Sequence, residues 1–152
     1  MKNNISTFFV DGVYSLTGKS IPSCIFPFGA DYTGTTIISS VYVCNDVSLP
    51  LQQKSFTTES DKQGINRLTW QNFNVNCNYS LTNNFKSSVI GKYKINGNKL
   101  CVNCSGFIHP LGRNAIQKYI IVKTETGYNE KYYYLNDKKE YILFVDRIYT
   151  KI

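Results

Sequence analysis

One histidine is available for acid–base chemistry. His109 lies in Gly106-Phe107-Ile108-His109-Pro110-Leu111-Gly112-Arg113, with Lys118 a short way on. Imidazole titrates near neutrality, so His109 is the candidate general base. Arg113 and Lys118 are candidate anion holders beside it. That trio would suit a small basic nuclease-like toxin. A histidine held by Pro110 in a connecting loop is equally a structural residue.

Cys101-Val102-Asn103-Cys104 has the Cys-x-x-Cys spacing. A zinc site needs two further ligands at suitable spacing. Cys24, Cys44, Cys77 and His109 form no second close pair, so no metal site is expected. A redox pair normally opens a helix, whose N-terminus lowers the thiol pKa. This pair lies in a strand pattern, where residues three apart face opposite sides. Cys104 is therefore expected inward with Leu100 and Val102, and Cys101 outward beside Lys92. A nucleophilic pair of Cys104 with His109 would require the loop to fold back, and no Asn or Asp is placed to orient the ring. The four glutamates, Glu59, Glu125, Glu130 and Glu140, are not paired as acid and base. No glycine-rich phosphate loop is present. Neither an enzyme nor a bound cofactor is expected. Asn-x-Ser occurs at Asn4, Asn78 and Asn103, as chance predicts in a chain so rich in both residues.

The most distinctive chemistry is aromatic. Tyr119, Tyr128, Tyr132, Tyr133, Tyr134, Tyr141 and Tyr149 crowd the last third of the chain. Consecutive strand residues alternate faces, so at least one ring of Tyr132-Tyr133-Tyr134 must point outward. With Lys123, Lys131, Lys138 and Lys139 interleaved, such a ring suits a protein-binding surface or a base-stacking one. His109 and Arg113 extend the same candidate surface. Ordinary cross-strand packing accounts for the remaining rings.

Charge concentrates in the same region. The formal charge is +7, and residues 86–152 carry all of it, the first 85 residues being neutral. One reading is a patch facing nucleic acid, anionic lipid or an acidic protein; the favoured one is lysine scattered over a solvated sheet face in a chain of Lys/Asn/Ile/Tyr-biased composition. Only three of the seventeen basic residues are arginine. Readers of phosphates and bases lean on arginine, so nucleic acid is the less favoured partner.

These residues need a scaffold, and composition selects β-structure. Alanine occurs twice, whereas tyrosine, phenylalanine, valine, isoleucine and threonine abound. A length of 152 residues fits a single domain over 1–152. No stretch approaches the roughly 20 apolar residues of a membrane span. The patch Phe8-Phe9-Val10 is too short for a signal-peptide core. The expected location is cytoplasmic, or periplasmic or secreted if a leader has been removed. Five cysteines leave at least one thiol unpaired in the monomer. A reducing compartment would keep all five as thiols, and one or two disulfides are the alternative.

Strand patterns run over Phe8–Leu16 (interrupted at Asp11-Gly12), Thr35–Cys44, Ser48–Thr58 and Leu68–Leu81. The last changes phase near Asn72, which predicts a bulge or bend. Residues 59–66 look like a loop or one helical turn. Val89–Cys104 predicts a hairpin turning at Asn96-Gly97. Tyr93, Ile95, Leu100 and Val102 then share the core face, and Lys92, Lys94 and Lys99 face solvent, with Lys94 opposite Lys99. Ile116–Thr126, Glu130–Leu135 and Glu140–Tyr149 continue an antiparallel meander. The expected fold is all-β, a single antiparallel barrel or sandwich of about seven or eight strands with little helix.

The order of these pieces resembles the lipocalin-like (calycin) small barrels. Their Gly-x-Trp element on the first strand corresponds to Gly12-Val13-Tyr14, with Tyr14 in place of Trp. A hairpin pattern of bacterial members is matched by Gly91, Tyr93, Ile95, Gly97, Asn98 and Leu100. The resemblance implies closure into a barrel, and a basic residue of the last strand, Arg147, packed over Tyr14. It also implies a non-catalytic protein that binds a protein partner or, less favoured, a small ligand. Two other functions fit the same chain. One is a bacterial immunity or inhibitor protein that neutralises a toxin or secreted effector. The other is the His109 toxin above.

Overall fold

The computed structural model describes residues 5–20, 30–42, 50–58, 67–109 and 111–152. Among them are one four-residue helix, α1 (Ile5–Phe8), and ten strands. The strands are β1 (Gly12–Ser20), β2 (Ala30–Tyr42), β3 (Pro50–Thr58), β4 (Arg67–Phe73), β5 (Asn78–Asn83), β6 (Ser88–Asn96), β7 (Lys99–Ile108), β8 (Arg113–Lys123), β9 (Gly127–Leu135) and β10 (Tyr141–Lys151). Each strand pairs antiparallel with its sequence neighbours, and β1 also pairs with β10, so the sheet closes into a barrel. The all-β expectation holds. The choice between barrel and sandwich falls to the barrel. Closure satisfies both edges of every strand and removes the free edge of an open sheet.

Three of the tight turns are made by asparagine side chains. The phase change near Asn72 is a turn between β4 and β5, not a bulge within one strand. Asn74 Oδ1 accepts from the N–H groups of Asn76 and Asn78, both at 2.9 Å. Asn83 does the same for Phe85 and Ser87, and Asn136 for Lys138 and Glu140. In all three loops the residue three places after the asparagine has positive φ, namely Cys77, Lys86 and Lys139. A side-chain carboxamide thus substitutes for the missing ladder partners of a tight turn.

The start of the chain also departs from expectation. Phe8-Phe9-Val10 is not part of the first strand. Ile5, Phe8 and Phe9 have the i, i+3, i+4 spacing of one helix face, and all three are buried. They cover the end of the barrel where β1 begins. Phe9 packs on Phe73 at 5.1 Å and Phe8 on Tyr128 at 6.2 Å. The Val10 N–H donates to Tyr128 Oη at 2.7 Å, and Tyr14 Oη donates to the Val10 carbonyl at 2.5 Å.

The β6–β7 hairpin turns one residue later than expected. Asn96 pairs with Lys99, so the loop is Gly97-Asn98, and Gly97 alone of the pair has positive φ, 66°. Glycine in the first loop position is the signature of a II′ turn. The partner of each β6 residue moves by two, so faces are preserved. Tyr93, Leu100 and Val102 are buried, while Lys92, Lys94 and Lys99 are exposed. Lys94 now faces Cys101 instead of Lys99, which relieves the like-charge pair.

Inward positions of β8, β9 and β10 are Gln117, Tyr119 and Ile121, then Tyr128, Glu130 and Tyr132, then Val145, Arg147 and Tyr149. A register shift between Leu143 and Val145 leaves Phe144 as an extra residue. It turns inward against Tyr132 and Tyr134. The connector over 59–66, and Cys24 and Cys44, lie outside the described residues.

Candidate functional site

The barrel interior is built around a buried ion pair. Glu130 is 0% exposed and Arg147 4%. Glu130 Oε1 accepts from Tyr149 Oη at 2.6 Å and from Arg147 at 3.4 Å. Its Oε2 accepts from Gln71 Nε2 at 2.8 Å, and Gln71 Oε1 accepts in turn from Tyr79 Oη at 2.6 Å. Arg147 also donates to Tyr132 Oη at 3.2 Å, and its guanidinium lies 4.6 Å from the Tyr32 ring centroid. The Tyr132 ring stacks on Tyr119 at 3.9 Å. Strands β2, β4, β5, β8, β9 and β10 converge on this network. The Glu130 carboxylate, the Gln71 carboxamide, the hydroxyls of Tyr79, Tyr132 and Tyr149, and Arg147 Nη1 are partnered within the network, and such partnering is what makes burial of a charge tolerable.

Desolvation pushes the hydroxyls of Tyr79, Tyr119, Tyr132 and Tyr149 well above their ordinary pKa. Nearby Glu130 adds to it in each case. For Arg147, burial opposes the charge, but Tyr132, Tyr149, Tyr32 and Glu130 around it hold the proton above the usual value.

Arg147 is not over Tyr14. The β1–β10 register sets Tyr14 against Lys151 and Arg147 against Gly18, four residues further along β1. The cation near the Tyr14 ring is Lys151, at 5.9 Å. Gly18 is the position the guanidinium depends on. A Cβ there would lie 2.4 Å from the Asp146 carbonyl and 2.8 Å from Arg147 Cα. Gly18→Ala is therefore expected to lower stability by about 1–3 kcal/mol through forced separation of β1 and β10. Gly97→Ala meets nothing within 4 Å. Only its positive φ opposes the change, at about 1 kcal/mol. Urea midpoints of the two variants would test the contrast, and equal losses would refute the close-approach account.

The sequence-derived site residues separate. Tyr132 belongs to the core. Tyr134 faces inward at the far end, between Phe144 and the Arg113 guanidinium, which is 5.5 Å from its ring. Tyr133 faces outward next to Lys118, its β8 partner. Lys131 pairs with Asp146 at 2.9 Å. Lys123 reaches the Thr7 carbonyl and the Phe8 ring at the α1 end. His109 stacks on Phe85 at 4.6 Å, and Lys118 lies 4.3 Å from the Tyr141 ring. His109, Arg113 and Lys118 are thus turned to three different neighbours. Gly12 opens β1, and Asn96 and Gly97 end β6 and begin its hairpin.

The thiols are arranged as the strand pattern implied. Cys104 is buried, and Cys101 is half-buried on the outer face. Desolvation pushes the Cys104 thiol up to about 12, against a smaller opposing effect of Tyr119. About 16 Å of strand separates Cys104 from His109. Among the described residues no cluster of His, Cys, Asp or Glu could hold a metal ion, and no helix is long and apolar enough to cross a membrane.

Among the described residues, a cavity of about 20 Å³ lies in the interior, bounded by Tyr32, Thr69, Asn83, Phe85, Ile108 and Arg147 among others. That is room for about one water molecule. Larger hollows are lined mainly by outward residues, the first of them also by the inward Tyr32, Phe144 and Val145. One of about 560 Å³ runs past Thr17, Lys19, Asp31 and Asp146, and one of about 620 Å³ past Asn72, Asn78, Ser80, Ile90 and Lys92. Neither they nor the interior cavity is lined by His109, Arg113 or Lys118.

Comparisons with protein-family models, with curated proteins and with solved structures found no match.

No motif of the sequence assigns a role to Glu130, Gln71, Gln117 or Gly18. A signal for the first was present: Glu130 shares parity with Tyr128 and Tyr132, and Arg147 with Val145 and Tyr149. A charge at a core-parity position on each of two adjacent strands marks a buried pair. Gly18 carries no comparable signal, because its role depends on the register of β10.

Proposed function

We propose that this chain is a non-catalytic β-barrel that acts by docking a protein partner on its outer wall, and does not carry a ligand in its lumen. The observation supporting this reading is the packed interior: among the described residues, rings, carboxamides and one ion pair crowd it around a cavity of about 20 Å³. Drug-sized ligands need pockets of roughly 300–1,000 Å³. On this reading the chain is a lipocalin-like barrel whose lumen is given over to packing. An immunity or inhibitor protein would be one form of it.

The test is a titration with lumen-seeking probes, a long-chain fatty acid and an anilinonaphthalene sulfonate dye. No saturable binding at micromolar protein is expected, and no gain in melting temperature. Stoichiometric binding that perturbs Tyr119, Ile121 or Tyr149 would overturn the reading.

A further inference from the structure

The outer wall is electrostatically divided. Across β2, β1, β10 and β9 one register row runs Asp31, Lys19, Asp146, Lys131, with signs alternating at each step. Cross-strand pairs of this kind are mutually stabilising. On β6, β7 and β8 the pattern is absent. Lys92 pairs through Asn103 to Lys118, Lys94 faces Cys101, and Lys99 lies between Asn96 and Val122. Among the described residues no carboxylate is the cross-strand neighbour of any of these four lysines. Strands are about 4.8 Å apart, so the four stems lie within about one to two Debye lengths of each other. They repel one another and project a positive field.

The lysines flank an apolar row and a groove. Ile90 is 68% exposed and Ile116 55%, with Ser105 paired between them. The groove of about 620 Å³ has Ile90 and Lys92 on one side, and Asn72, Asn78 and Ser80 on the other. Lys92 Nζ donates to Asn78 Oδ1 at 2.9 Å and so stands at the groove's rim. The wall therefore combines a recess, exposed branched aliphatics, amide and hydroxyl groups, and uncompensated ammonium groups.

We propose that this wall is the docking site for an acidic protein segment, with one apolar side chain seated against Ile90 and its carboxylates on Lys92, Lys94 and Lys118. Three observations favour protein over nucleic acid. No arginine stands among these face residues, the outward rings nearest them, Tyr133 and Tyr141, lie beside Lys118 and outside the groove, and the apolar row has no use against phosphate. The proposal rests on the reading that the barrel works through its outer wall.

The experiment is a nuclear magnetic resonance titration of the full ¹⁵N-labelled chain. The probe is a synthetic heptapeptide of aspartate and glutamate with one central leucine. The comparison probes are the same peptide with glycine for leucine, an oligothymidylate, and phosphatidylserine vesicles. Expected are saturable shifts centred on Ile90, Lys92, Lys94, Ser105 and Lys118. Affinity is expected to drop at least about tenfold on removing the leucine, and again in K92E/K94E/K118E. It should also weaken with added salt. Circular dichroism would confirm that the triple variant keeps the barrel, and K92Q/K94Q serves as a milder second variant. Absent shifts, shifts spread equally to Lys19 and Lys131, indifference to the leucine, or tighter binding of the oligonucleotide or vesicles would each overturn the proposal. Those results leave the filled-lumen reading standing. Shifts at the inward Tyr119, Ile121 and Tyr149 instead would overturn both.

Discussion

Raising the pH above 10 is expected to unfold the barrel in one cooperative step. Tyr79, Tyr119, Tyr132 and Tyr149 ionise with an ordinary pKa of 10.0 in the unfolded chain but far above it inside the barrel, because burial disfavours the phenolate. Below pH 10 both states hold the four protons, and the shift has no effect. Above it the unfolded chain releases protons that the native state retains, so stability falls as pH rises. Each tyrosine contributes about 1.4 kcal/mol per pH unit, so four remove roughly 5–6 kcal/mol by pH 11. Cys104, pushed from 9.0 up to about 12, adds in the same direction from pH 9 upward. Native domains are stable by about 5–15 kcal/mol. The transition should therefore fall near pH 11, with tyrosinate absorbance and loss of β circular dichroism coinciding. Tyrosinate absorbance that saturates for all twelve tyrosines while the β signal persists would refute the buried-network account.

Arg147→Met is expected to destabilise the barrel by about 3–5 kcal/mol at pH 7. For a chain of this length that is a drop of roughly 10 °C or more in melting temperature. The loss arises less from the pair's attraction than from what remains. Glu130 would be left at full burial with only the neutral donors Gln71 and Tyr149. Adding Glu130→Gln removes that stranded charge, and the carboxamide oxygen it introduces can still accept from Tyr149. The double variant is expected to regain about half or more of the loss. A double-mutant cycle from urea unfolding measures the coupling directly. Additivity within about 0.5 kcal/mol would show that the two groups do not act as a pair.

Both results turn on residues whose burial the register of the barrel decides. In Val89–Cys104 the alternation of apolar and lysine positions assigned faces correctly even though the hairpin turned at Gly97-Asn98. A two-residue change of partner leaves parity untouched. The strand total was less legible. β4 and β5 looked like one strand because the turn between them is made by the Asn74 side chain and a left-handed Cys77, with neither Gly nor Pro to punctuate it. The helix at Ile5–Phe8 was hidden for a related reason: four residues carry too little periodicity to compete with an adjacent β pattern. Of the candidate surface, the lysines of β6 and β7 were legible as solvent-facing, and one ring of Tyr132-Tyr133-Tyr134 as outward. Tyr132 and Tyr134 were not separable from Tyr133 until the register supplied an inside.

The amino-acid sequence by itself determined an antiparallel β domain, the faces of the β6–β7 hairpin residues, and the location of the excess charge. Those properties follow from period-two alternation and composition, which are local. Tertiary structure alone decided that Arg147 meets Glu130 and Tyr32 and not Tyr14, that Gly18 clears its path, and that Asp146 neutralises Lys131 while no carboxylate faces Lys92, Lys94 or Lys118 across the described strands. These depend on which residues stand opposite one another across β1, β9 and β10. Closure of the barrel sets the β1–β10 register between segments more than a hundred residues apart, the turn at Asn136 sets the β9–β10 register, and alternation within one strand reaches neither.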